Sequence, residues 1–137
     1  MKSPEFDVEI RMPFCPFTLV TSKRGLKKVF KSLNVEADPD KHWCDVGAGN
    51  TLELVIGGAN LYIVTLDIEN HDSFPGSLAL LVHECEHVKQ HYFKWAGQKK
   101  PSSEYEAYVI QSIFLSLYPT FAKGWDKKLK QDQENVL

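Results

Sequence analysis

The stretch that most constrains this chain is Thr51–Glu69. "TLELVI" and "LYIVTLDIE" are two runs rich in Leu, Ile, Val, Tyr and Thr, joined by the turn-forming "GGAN". That pattern reads as a β-hairpin. "NHDSFPG" then ends it. The next segment has a different period. From Ser77 to Trp95 the apolar residues recur at helical spacing, turn formers precede them, and Gly97 comes after as a stop. Strands come first and helices after, which predicts an α+β fold.

The flanking segments fit that order. "FDVEIRM" alternates Phe6, Val8, Ile10 and Met12 on one face, as a half-buried strand does, and "CPF" breaks it. "SKRGLKKVFKSL" spaces Leu26, Val29, Phe30 and Leu33 as a helix after a Ser22 cap. Residues 34–50 are turn-rich, with a short strand expected at "HWCDV". After the loop "QKKPSS", a helix is expected from Ser103 to Tyr118, where Pro119 stops it. A shorter basic helix is expected from Thr120 to about Gln131, with residues 131–137 as a frayed tail. The 137 residues are expected to form a single domain.

Composition bounds the function. The chain is 43% hydrophobic and 25% charged, with a net charge of −2, so no nucleic-acid partner is expected. Its basic patches at Lys23–Lys31 and Lys123–Lys130 read as solvated helix faces. No apolar run approaches the ~20 residues that span a bilayer, so no membrane is expected either. Cys15, Cys44 and Cys85 are an odd number without C-x-x-C spacing. They read as reduced thiols of a cytoplasmic protein.

The chemistry concentrates in Leu80–His91, "LLVHECEHVKQH", which holds three of the five histidines. His83-Glu84-Cys85-Glu86-His87 is an H-E-x-x-H motif on the expected long helix. Residues i and i+4 lie one turn apart on one face. Two imidazoles placed so can converge on one zinc at about 2.0–2.1 Å. Glu84 lies about 100° round from His83, bordering that face. It is too far round to be a natural third ligand, and well placed to take a proton from a metal-activated water. Leu78, Leu81, Val82, Cys85, Val88 and Tyr92 gather on the other side as the core stripe. Glu86 points away from both groups and reads as solvated.

A zinc site needs a third protein ligand. His91 lies another turn on, about 6 Å beyond His87, which suits a surface or supporting role better than direct ligation. "SSEYEAY" begins 15 residues after His87 and offers two carboxylates on the next helix. Glu106 falls within the stripe of Ile110, Ile113, Phe114 and Leu117, yet Ser103-x-x-Glu106 is also a capping box. Glu104 shares a more polar face with Ala107, Tyr108 and Gln111. Pattern alone leaves both open.

His83-Glu84-x-x-His87 followed by Glu104-x-x-Ala107-Tyr108 resembles the gluzincin-type zincin metallopeptidases. It is similar to compact zinc peptidases common in bacteriophages and, more remotely, to bacterial anti-repressor metalloproteases. The resemblance covers about residues 78–115. It implies His83, His87 and Glu104 as ligands of one zinc per chain, with Glu106 the alternative third ligand and Glu84 the general base. Tyr108 stands where such families often carry Asp or Asn. His91, Tyr92, Tyr105 and Tyr108 are the candidates for oxyanion or supporting roles. The implied fold is a minimal zincin, with a small antiparallel or mixed sheet packed on the H-E-x-x-H helix and a second ligand-bearing helix. The implied activity is hydrolysis of a peptide bond in a protein or peptide, in the host cytoplasm if the chain is phage-encoded. The alternative is a zincin-fold binding protein, its metal structural or vestigial, that acts through a protein partner.

Overall fold

The computed structural model describes residues 16–136. In chain order the elements are β1 (Phe17–Val20), α1 (Lys23–Ser32), α2 (Pro39–His42), β2 (Gly49–Ile56), β3 (Ala59–Leu66), α3 (Phe74–Trp95) and α4 (Ser103–Val136). The class is α+β. The strand expected over Phe6–Met12 lies outside the described residues, as does Cys15.

The hairpin forms as expected. β2 and β3 pair antiparallel from Gly49↔Leu66 to Ile56↔Ala59, leaving a two-residue turn. Gly57 and Gly58 both take positive φ there, 57° and 82°, which suits the strand twist and which side chains with a Cβ resist. β1 was not expected. It pairs parallel with the other side of β3, Phe17↔Tyr62 to Val20↔Thr65, giving a mixed sheet of order β1-β3-β2. β3 is thus the central strand and β2 an edge.

Both faces of the sheet are covered. Tyr62, Val64 and Leu66 of β3 pack with Phe17 and Leu19 of β1 against Leu81, Cys85 and Val88 of α3 and Ile113, Leu117 and Phe121 of α4. Ile63, the intervening residue of β3, faces the other way, with Val20, Leu26, Val29 and Phe30. This explains why "LYIVTL" is apolar almost without interruption: a strand buried on both faces needs no polar alternation. α1 starts where expected, with the Ser22 side chain accepting from Gly25 N at 3.0 Å.

The strand expected at "HWCDV" does not form. His42 ends α2, and the chain turns through Gly47 at φ 68°. Asp67, buried to 4% exposure, accepts from Gly47 N at 3.0 Å and from the Asn70 amide at 2.9 Å. The Cys44 thiol donates to Ala48 O. These bonds hold residues 44–48 as a loop, and the ladder begins only at Gly49.

α3 begins three residues earlier than the spacing predicts. Ser73 caps it by accepting from Gly76 N, and Pro75 sits in the first turn, where its missing N–H costs nothing. It ends as expected. Gly97 at φ 71° donates to Lys94 O and Gln98 N donates to Phe93 O, a Schellman motif.

The largest correction concerns α4. Pro119 does not stop it; one helix runs from Ser103 to Val136, through the segment expected to fray. An interior proline costs about 3 kcal/mol. Beyond it, Phe121 and Trp125 are buried, each stabilising by about 1.5–3 kcal/mol. Trp125 Nε1 also donates to Ser77 Oγ at 3.0 Å, and Lys128 donates to the carbonyls of Ile68 and His71. Anchoring of the second half against α3 outweighs the local break. No helix among the described residues is long and apolar enough to cross a membrane.

Candidate metal centre

α3 sets the geometry. Its buried row is Ser77, Leu81, Glu84, Cys85, Val88 and Phe93. His83 and His87 sit beside that row, the first exposed and the second half-buried. Their Nε2 atoms lie 3.1 Å apart, with ring centroids at 4.8 Å and ring planes at 80°. Two imidazole nitrogens on one tetrahedral zinc at 2.0–2.1 Å would be separated by about 3.3 Å. The pair therefore already has the spacing of two ligands of one ion. Among the described residues, His83, Glu84 and His87 are the group whose donor atoms gather for a metal, all within 4.8 Å of one another.

His87 and Glu84 each have a supporting partner from outside the group. His87 Nδ1 lies 3.2 Å from Gln90 Oε1. When Nδ1–H donates to that amide oxygen, Nε2 is left with a free lone pair on the side of His83. Glu84 is 4% exposed, and its Oε1 accepts from the Thr51 hydroxyl at 3.0 Å. That contact depends on a close approach of strand to helix. A Cβ on Gly49 would stand 2.9 Å from Leu66 Cδ1, 3.2 Å from Thr65 O and 3.4 Å from Glu84 Cγ. Glycine is what lets β2 start this near the carboxylate.

β2 lies along the same flank further on. Glu53, two residues after Thr51 and so on the same strand face, places Oε2 3.6 Å from His91 Nδ1. The His91 ring stacks on Tyr62 at 4.7 Å. His91 is thus held against the sheet, and it is outside the gathered group.

The opposite flank of α3 faces α4. Lys89, about 200° round the helix from His87, bridges Glu86 at 2.9 Å and Glu106 at 3.3 Å. Bonds to Glu86 first, and then to Glu106, hold the Lys89 ammonium above its ordinary pKa against the opposing effect of burial. Glu86, read from sequence as solvated, is instead a half-exposed partner in this bridge. Glu106 is committed to Lys89 on the far side of the helix from the histidines. Glu104 is exposed on the first turn of α4. The structure brings neither carboxylate into the histidine group.

The expected capping box gives way to a simple cap one residue earlier. Ser102, not Ser103, receives the helix's first N–H groups, from Tyr105 N to its hydroxyl and from Glu106 N to its carbonyl. Tyr105 and Tyr92 join hydroxyl to hydroxyl at 2.9 Å, and Tyr108 is 59% exposed. Cys85 behaves as the core residue the wheel predicts. It is fully buried, and burial, helped by the charge of Glu84, pushes its thiol up to about 12.

Sequence reasoning located the histidine pair and its carboxylate and missed Thr51, Glu53, Gly49 and Gln90. Gln90 was findable, since i+3 neighbours on a helix meet. The strand residues were not, because nothing in the sequence states which strand lies against which helix face. Comparison of the chain with protein-family models, curated proteins and solved structures finds no match.

Proposed function

We propose that this chain is a zinc-dependent peptide-bond hydrolase, with His83 and His87 as metal ligands and Glu84 as general base. The observation that carries the reading is the 3.1 Å approach of the two Nε2 atoms with the Glu84 carboxylate beside them. Neutral imidazoles are good zinc donors, and the spacing suits two positions of a tetrahedral site. A third protein ligand completes such a site. Glu104 is the carboxylate that the resemblance to gluzincins implies, and Glu106, paired with Lys89, is the alternative.

Zinc, when bound, supplies a Lewis acid that polarises a scissile carbonyl and makes water a nucleophile near neutral pH. The chain supplies the rest. Glu84 takes the proton of the attacking water and returns it to the departing amine. The Thr51 hydroxyl fixes one carboxylate oxygen, so Oε2 is the atom left for proton transfer. Gln90 fixes the tautomer of His87. The buried side of Glu84, against β2 and the core, limits the water that competes for its charge.

One observation favours a second reading. Neither α4 carboxylate reaches the histidines, and a pair short of the four ligands of a structural zinc site suits a binding protein whose metal is vestigial. That protein would act through a protein partner. Metal analysis of protein purified without a nickel column tests the site itself. About one zinc per chain is expected, and His87→Ala should abolish it. Unchanged metal content in that variant would remove the histidine pair from the account.

A further inference from the structure

Nine of the chain's 16 lysines and arginines lie in residues 23–31 and 123–130, which hold a single acidic residue, Asp126. Sequence alone makes these two separate solvated helix faces. The fold brings them together. A cleft of about 910 Å³ opens where the first turns of α1 meet the C-terminal half of α4. Arg24 and Lys28 line it from one side, and Lys123 and Lys127 from the other. Asp126 is the one carboxylate in the lining, so the cleft carries a surplus of three positive charges in a chain whose net charge is −2.

Two neighbouring cations are engaged elsewhere and these four are not. Lys23 pairs with Asp40 at 3.0 Å, and Lys128 is held by backbone carbonyls while lying over the Trp125 ring. Among the described residues, Arg24, Lys28, Lys123 and Lys127 form no ion pair. Like charges crowded in a concavity focus a positive potential and raise the local concentration of anions.

We propose that this cleft binds a small ligand carrying two or more phosphate groups. Its volume is that of a small-molecule site. Its surplus charge matches a diphosphate or triphosphate. A guanidinium and several ammonium groups are the side chains that phosphate oxygens favour, and the Thr120 hydroxyl adds a neutral donor to the lining. No lining residue is aromatic, whereas proteins that hold single-stranded nucleic acid stack its bases on aromatic rings. The lining thus favours recognition of the phosphates over that of bases. The cleft shares no residue with the histidine group, so the proposal is independent of the hydrolytic reading.

Calorimetric titration of the full chain with inorganic pyrophosphate and tripolyphosphate tests it. Saturable binding near one per chain is expected, weakening as salt is added. The double variant Arg24→Ala/Lys127→Ala should bind about tenfold more weakly or worse. Lys99→Ala/Lys100→Ala removes the same charge from a loop elsewhere and should bind as the parent does. Circular dichroism should show both variants folded. A His83→Ala protein should also retain binding. Loss of binding there would place the anion at the histidine pair and overturn the proposal. So would the absence of saturable binding, or an equal loss in the Lys99/Lys100 variant. An oligothymidylate that binds through Arg24 and Lys127 while pyrophosphate does not would give the cleft to nucleic acid and overturn it equally.

Discussion

At the scale of residues, the motif was legible because its chemistry is local. Two histidines at i and i+4 must share a helix face, and from there their rotamers bring the Nε2 atoms to 3.1 Å. Whether Glu104 or Glu106 approaches the histidines was not legible, because it depends on how α4 packs on α3. The two candidates can be separated by experiment. In the proposed hydrolase, Glu104→Gln should lower zinc affinity more than Glu106→Gln, measured by competition with a chromophoric chelator. Glu106→Gln should chiefly weaken one arm of the Lys89 bridge, which keeps Glu86 at 2.9 Å, at a stability cost of about 1 kcal/mol. The reverse order of zinc affinities would assign Glu106 to the metal. Cys85 gives a pH prediction. Its thiol is raised from 9.0 to about 12 by burial and then by Glu84, so the folded chain holds this proton more tightly than the unfolded one. The associated stability is complete below pH 9 and is lost as pH climbs towards 12. At pH 9 the native thiol should therefore resist a disulfide reagent, reacting only after denaturant is added. Rapid reaction of Cys85 in the native state would mean that this face of α3 opens.

At the scale of elements, the hairpin and α3 were readable from punctuation. Gly57-Gly58 and Gly97 act within a few residues of themselves and sit at the boundaries they were expected to mark, while Ser73 caps α3 three residues before the expected start. α4 was misread because its continuity has no local cause. Pro119 is a sound stop signal on its own, and what overrides it is contact with residues 47 to 60 positions earlier in the chain. The clamp is Trp125 on Ser77, Phe121 and Trp125 against Phe74, and Lys128 on the carbonyls of Ile68 and His71. Trp125→Ala should therefore cost about 3–5 kcal/mol in urea unfolding. It should also release the end of α4, seen as lost helical signal and faster amide exchange after Pro119. A cost under 1 kcal/mol would mean the second half of the helix stands without its anchor.

At the scale of the whole molecule, the class was legible and the layering was not. Strands before helices gave α+β, yet nothing in the sequence says that α1 covers one face of the sheet while α3 and α4 cover the other. The parallel partner β1 was hidden for the same reason: four residues between prolines and a cap carry little periodicity. That layering matters to function. It leaves β2 as an edge strand along the histidine flank of α3, where Thr51 and Glu53 reach Glu84 and His91. It also gathers the basic segments of α1 and α4 on one cleft that holds none of the histidine group.

The proposed hydrolase stands or falls on Glu84. Glutamine at this position can still accept from Thr51 and removes only the basic oxygen, so fold and metal content should persist. The decisive measurement is the rate at which zinc-loaded Glu84→Gln cleaves an unfolded protein substrate, set beside the parent chain at equal metal content. A general base is typically worth 10²–10⁴-fold, and a fall of at least about a hundredfold with zinc unchanged is the expected result. Equal rates in the two proteins, or a parent chain that holds zinc and cleaves nothing, would contradict the account and leave a metal-holding binding protein in its place.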